Sequence, residues 1–224
     1  MSAPRNTKRA LDPPLWIVQQ RELWGDYGDV LISGYARRSV DGVLSLHRTG
    51  PFLPPISFPW TQATRGVDSA VVVSAELKES LEALNLPGVG FRTARRSRIV
   101  PLAWETWDLR AREPAEYPDE SEPENYLLNR KHDPRCAARM SAAFELILPD
   151  TSVAIDSVED PANPLRMLYT SARSGKGALP ASRTHPTCGD LVVDDRMRTW
   201  LKKHVGNWVR FEPVTQAGTR RQRT

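Results

Sequence analysis

The residues with metal-ligating or nucleophilic chemistry fall in two short pairs. His132 and Cys136 stand four apart in "HDPRC", and His185 and Cys188 three apart in "HPTC". Together they would supply two imidazoles and two thiolates, the donor set of a tetrahedral zinc site. Neither pair carries the glycines of a zinc knuckle, and "HPTC" lies in a stretch patterned as loop. A buried thiol and surface imidazoles account for the same residues, so neither a metal nor another cofactor is expected. The phosphate-binding motifs are incomplete too. "GVGFRT" lacks the third glycine of a dinucleotide loop, and "TSARSGKGA" lacks the first glycine and the Ser/Thr of a phosphate loop. There is no G-x-S-x-G and no H-E-x-x-H. The expectation is a protein that binds without catalysis.

Candidates for binding are clearer. Glu113, Glu116, Asp119, Glu120, Glu122 and Glu124 form a six-acid run with no base between residues 113 and 125. Pro114, Pro118 and Pro123 interrupt it and exclude a regular helix. The stretch 111–125 therefore reads as an acidic, extended surface loop. Arg92, Arg95, Arg96 and Arg98 lie a little upstream and are expected to neutralise it. In "PLAWETWDL", Trp104 reads as core and Trp107 as an open contact residue. "RTGPFLPPISFPW" (48–60) raises a further choice, between a proline-rich ligand for another protein and an extended crossover. Its strand-like flanks favour the crossover, with Phe52, Ile56 and Phe58 held against the core.

The elements that must position these residues follow from pattern. With 224 residues, 40% hydrophobic and 26% charged, the chain has the composition of a folded domain. No apolar run approaches a membrane span, and the N-terminus lacks the apolar stretch of a secretory signal. Two cysteines are too few for a disulfide framework, and a cytoplasmic location is expected. The formal charge of +4 belongs to the ends: removing Arg5, Lys8, Arg9, Arg220, Arg221 and Arg223 leaves residues 11–218 at −2. Residues 1–10 and 215–224 read as flexible basic tails, able to touch nucleic acid weakly and without specificity.

Residues 71–94 and 191–214 align without a gap at an offset of 120, with five identities: Val72/Val192, Val73/Val193, Leu81/Leu201, Val89/Val209 and Phe91/Phe211. Each copy runs from a β-branched segment through an N-cap candidate, Ser74 or Asp194, to a helix with an apolar face (Leu77, Leu81 and Leu84, or Met197, Leu201 and Val205), a glycine stop and an alternating strand. Further strands are predicted at 15–20, 29–35, 42–48, 98–104 and 144–149, and a short helix after Asp133. Residues 150–190 read as a long loop. Strands outnumber helices and often follow one another directly, which gives an α+β fold with mixed or antiparallel sheets and a twice-occurring strand–helix–strand unit. The acidic loop separates an N-terminal α+β half (11–110) from a C-terminal one (126–214).

"RTGPFLPPISFP", "VVVSAELKESLEALNLPGVGFR", "RIVPLAWETWDL", "PAEYPDESEPENYLL" and "WLKKHVGNWVRFEPV" together resemble bacterial polymorphic-toxin immunity proteins and related uncharacterised proteins, over about residues 43–214. "WVRFEPV" fits the ending that recurs in one such family, whereas "GFRTARR" departs from it. The resemblance implies a cytoplasmic protein that blocks a cognate toxin, and it transfers no active-site residues. Its acidic loop would suit a toxin with a basic cleft. Two other classes remain open: an enzyme using the 150–190 loop, and a nucleic-acid-associated protein acting through its tails.

Overall fold

Side-chain oxygens cap three helices among the described residues. Ser74 Oγ accepts the Leu77 N–H at 3.3 Å and Asp194 Oδ1 that of Met197 at 2.6 Å. Asp133 Oδ1 accepts from Arg135 and Cys136 at 2.7 and 3.0 Å, with Pro134 in the first turn. Each cap satisfies N–H groups that a helix start leaves without a partner. The computed structural model describes residues 14–62, 67–149, 155–160, 163–171, 181–183 and 190–216.

In chain order the elements begin with β1 (Leu15–Gln20), then α1 (Asp26–Gly28) running into a π-helical turn (Asp29–Ser33). Next come β2 (Tyr35–Arg38), β3 (Leu44–Thr49), β4 (Ile56–Ser57), β5 (Trp60–Gln62), β6 (Val67–Ser69) and β7 (Val72–Ser74). They are followed by α2 (Ala75–Glu82), β8 (Gly90–Thr93), β9 (Arg95–Val100), α3 (Asn125–Leu128), α4 (Pro134–Arg139) and β10 (Ala143–Ile147). The chain closes with β11 (Ile155–Asp160), β12 (Asn163–Ser171), β13 (Ala181–Arg183), β14 (Leu191–Asp194), α5 (Asp195–Val205) and β15 (Val209–Gln216).

The fold is α+β with mixed and antiparallel sheets. A six-stranded sheet has the order β11-β12-β15-β1-β14-β13, a four-stranded sheet β4-β7-β10-β8, and a five-stranded sheet β6-β5-β2-β3-β9. In the four-stranded sheet β10 runs antiparallel between β7 and β8. In the six-stranded sheet β1 runs antiparallel between β14 and β15. Each side of the acidic loop thus lends the other a strand: β1 completes a sheet built from residues beyond 150, and β10 completes one built from residues before 100.

Alternation sorts the sheet faces. Val18, Val73, Leu146 and Val193 join Leu77 and Leu81 of α2 and Met197, Leu201 and Val205 of α5 in one core. Behind the four-stranded sheet, Val72 and Ala143 meet Ala36, Leu44, Leu46 and Ile99 of the five-stranded sheet. A third cluster is aromatic: Trp24, Trp104 and Tyr126 are buried, with Tyr27, Phe52, Trp107 and Trp208 packed around them.

Three expectations are corrected. Residues 29–33 form a helical turn, because other parts of the chain take up its carbonyls: Arg48 donates to Ile32 O and Ser33 O, and Thr49 Oγ1 to Leu31 O. Arg48 is fully buried, and that burial lowers its pKa to about 10, which leaves it cationic at neutral pH. The stretch 150–190 is not all loop; β11 and β12 pair as a long antiparallel hairpin and β13 edges the six-stranded sheet. The last strand, β15, extends through Gln216, two residues into the expected tail.

The proline-rich stretch is woven into two sheets. Ile56–Ser57 pairs with β7, and Trp60–Gln62 with β2 and β6. Ile56 is buried, Phe52 and Phe58 are half-buried, and Trp60 is 61% exposed.

Candidate functional site

The acidic stretch is held from beneath by its own prolines and by tyrosines. Pro114, Pro118 and Pro123 are buried, while Glu113, Glu116, Asp119, Glu120 and Glu122 are exposed. Tyr27 donates its phenol to Ser121 O at 2.5 Å, and Tyr126 donates to Glu116 O. Asn125 Nδ2 donates to Asp119 O at 3.0 Å, and Arg130 pairs with Glu116 at 2.6 Å. The Tyr27 ring meets Tyr117 edge-on at 5.2 Å and Tyr126 at 6.4 Å. A single 3-10 turn at Asp119–Ser121 carries Glu120 and Ser121 at φ of +69° and +59°. Left-handed backbone at two non-glycine residues costs on the order of 1 kcal/mol each and persists where surrounding contacts fix it. The run is therefore a surface ridge with one 3-10 turn, braced by these contacts.

Burial first, and nearby carboxylates second, raise the phenol pKa values around the ridge. Burial, then the Glu116 carboxylate, pushes Tyr126 well above the usual phenol range. Desolvation followed by Glu122 and Asp26 raises Tyr27, and desolvation followed by a hydrogen bond to Glu113 raises Tyr117. The negative potential thus reaches the tyrosines beneath the ridge.

Glu124 is set apart from the other five acids. It is half-buried, and its carboxylate accepts a hydrogen bond from the Tyr35 phenol, which burial and that bond push far up. Trp107 is half-buried against Trp24, with ring centroids 5.7 Å apart, so most of it belongs to the aromatic cluster. Trp104 is fully buried. The arginines upstream do not neutralise the ridge through any contact among the described residues. Arg92 donates to Gly42 O at 2.6 Å, Arg96 to Ala137 O and Met140 O, and Arg98 to Leu127 O at 3.0 Å. Arg92 thus ties a loop, and Arg96 and Arg98 the helices α4 and α3, to β8 and β9.

His132 Nδ1 accepts the Ile99 N–H at 3.0 Å, and Cys136 is 1% exposed, with its thiol pushed up chiefly by burial. No cluster of three or more His, Cys, Asp or Glu suited to a metal occurs among the described residues. His185 and Cys188 lie outside the described residues.

A second site has no counterpart in the sequence motifs. Strand register places Trp60 of β5 beside Tyr35 of β2, Tyr35 beside His47 of β3, and His47 beside Arg98 of β9. The four residues form one row across four strands, on the face opposite Leu44, Leu46 and Ile99. Helix α3 covers part of that face, Leu127 packing near Val30 and Val100. What remains open is a groove of about 520 Å³, lined also by Arg37, Glu124 and Leu128. Leu128 is 67% exposed at its edge. Partial burial and then the Arg98 and Arg37 guanidinium groups hold His47 below the ordinary imidazole value.

Comparison of the chain with protein-family models, with curated proteins and with solved structures finds no match. No helix among the described residues is long and apolar enough to cross a membrane.

Proposed function

We propose that the protein is an immunity protein, which binds a cognate toxin and blocks it without catalysis. The observation that carries this reading is the ridge at 113–122, five exposed carboxylates, one of them paired with Arg130, on a backbone held by tyrosine and asparagine hydrogen bonds. A preorganised acidic surface favours a partner with a basic cleft, because opposite potentials speed encounter and little ordering entropy is lost on docking. A toxin that acts on nucleic acid or nucleotides has such a cleft, and the ridge would occupy it in place of phosphate. The resemblance of residues 43–214 to immunity proteins supports the same role.

The ridge stands on a scaffold that we read as a twice-occurring strand–helix–strand unit. Three features support this. Ser74 and Asp194 cap the two helices at equivalent positions. Leu81 and Leu201 fall in one core. In each unit an antiparallel strand from the other half, β10 or β1, separates the two strands that flank the helix.

Co-expression with the toxin encoded beside this protein tests the role, with association kinetics at two salt concentrations. Glu113, Glu116 and Glu120 contact Tyr117, Arg130 and Asn125, so the cleaner variant reverses Asp119 and Glu122. Association should slow by about tenfold and lose salt dependence, while stability changes by no more than about 0.5 kcal/mol per site. An unchanged association rate removes the ridge from the interface. Failure of the wild-type chain to bind or protect sinks the immunity reading.

A further inference from the structure

We propose that the groove between α3 and the five-stranded sheet binds a small ligand that joins a flat unsaturated ring to an anionic group, the nucleoside monophosphates being the class that fits. This site is distinct from the acidic ridge and does not depend on the immunity role.

Three features select that chemistry. The first is size: about 520 Å³ lies within the range of small-ligand sites and is too confined for a folded partner. The second is an unused aromatic face. Trp60 is 61% exposed although its strand is paired on both sides, and Tyr35 meets it edge-on at 6.4 Å, supporting its orientation. An indole propped in this way offers a stacking platform that any nucleobase can use. The third is an excess of cationic charge, two guanidinium groups against one carboxylate. Arg37 and Arg98 both line the groove, and Arg98 spends one N–H on Leu127 O. Glu124, the one acid among the described residues lining the groove, accepts a hydrogen bond from Tyr35 and offsets one of these two charges. The His47 imidazole, its pKa lowered first by burial and then by Arg98 and Arg37, lies beside both guanidinium groups. Two guanidinium groups near a half-buried imidazole suit a phosphate, which can accept forked N–H donors. The base would stack on Trp60 at one end of the row, and the phosphate would sit toward Arg37 and Arg98.

Calorimetric titration with AMP, adenosine and ribose 5-phosphate separates the two halves of the ligand. AMP should bind saturably with Kd below about 1 mM, and each of the other two at least about tenfold more weakly, since stacking and charge each contribute a factor of that order. Trp60→Ala and Arg37→Gln both alter exposed positions, so melting curves should match wild type while AMP affinity falls about tenfold in each. Trp60→Phe, which keeps a ring, should retain most of the affinity. The inference is overturned if AMP shows no saturable binding in that range. It is equally overturned if ribose 5-phosphate binds as well as AMP, or if neither substitution weakens AMP.

Discussion

Two neighbours on β3 face opposite ways and carry opposite problems. Arg48 is a cation buried without a carboxylate, and what keeps it charged is the set of carbonyls at the end of the 29–33 turn. Those carbonyls carry the negative end of a helical dipole, a partial substitute for a counter-ion. Arg48→Met should cost about 2–5 kcal/mol in denaturant unfolding, because two buried acceptors lose a charged donor. Arg48→Lys should recover only part, since a compact ammonium lacks the planar fork whose two nitrogens each serve one carbonyl. His47 faces the groove among Arg37, Arg98, Tyr35 and Glu124. Its folded pKa lies below the unfolded value near 6.5, so its contribution to stability is fully present above about pH 6.5. That contribution is lost as pH falls through the lower folded pKa. Thermal melts at pH 7.5 and 5.5 should show a smaller drop for His47→Gln than for wild type. An equal drop in both would mean that His47 titrates as it does in the unfolded chain. Neither residue was legible as special in "LSLHRT", because alternation assigns faces without saying which face another element will cover.

At the scale of elements, the helices and most strands could be read because their signals are local. Ser74, Asp133 and Asp194 mark helix starts, and the predicted strand at 15–20 has the bounds of β1. The 29–33 turn could not be read. Val30, Leu31 and Ile32 of "DVLIS" are apolar and buried, and so short an apolar run has no period to distinguish strand from helix. The contacts that decide it come from Arg48 and Thr49, distant in sequence. The groove is a register effect of the same kind, since Trp60, Tyr35, His47 and Arg98 meet only once β5, β2, β3 and β9 are paired. Gly34 sets that pairing. It has a φ of +68°, and a Cβ there would sit 2.4 Å from His47 O. Gly34→Ala should therefore destabilise strongly, by about 2 kcal/mol or more, through both strain and backbone clash. In the main core, Leu81 and Leu201 line one small apolar void of about 10 Å³. Each alanine variant should cost about 2–5 kcal/mol. The double variant should depart from the sum by more than about 0.5 kcal/mol, because the two sites share a cavity. Additive losses would show that the helices pack independently.

For the whole molecule, the exchange of strands decides whether the two halves can stand alone. Composition and the proline-rich acidic stretch suggested a division near residue 112, and the chain does turn through an exposed segment there. Yet β1 lies between β14 and β15, and β10 between β7 and β8. A fragment of residues 1–112 would lack the strand that joins β7 to β8. A fragment of residues 113–224 would lack the one that joins β14 to β15. Each fragment would be left with unpaired inner edges where the intact chain has a filled ladder, and with half of the Leu81–Leu201 core exposed. Unfolding of the intact protein should therefore follow one cooperative transition by circular dichroism and by tryptophan fluorescence. The two fragments expressed separately should show no native near-ultraviolet signal, and co-expressed they should purify as a one-to-one complex. A fragment that folds alone with a sharp transition would show that the borrowed strand is dispensable. The ridge would then rest on a hinge between two bodies, and its fixed geometry would depend on Tyr27 reaching across to Ser121.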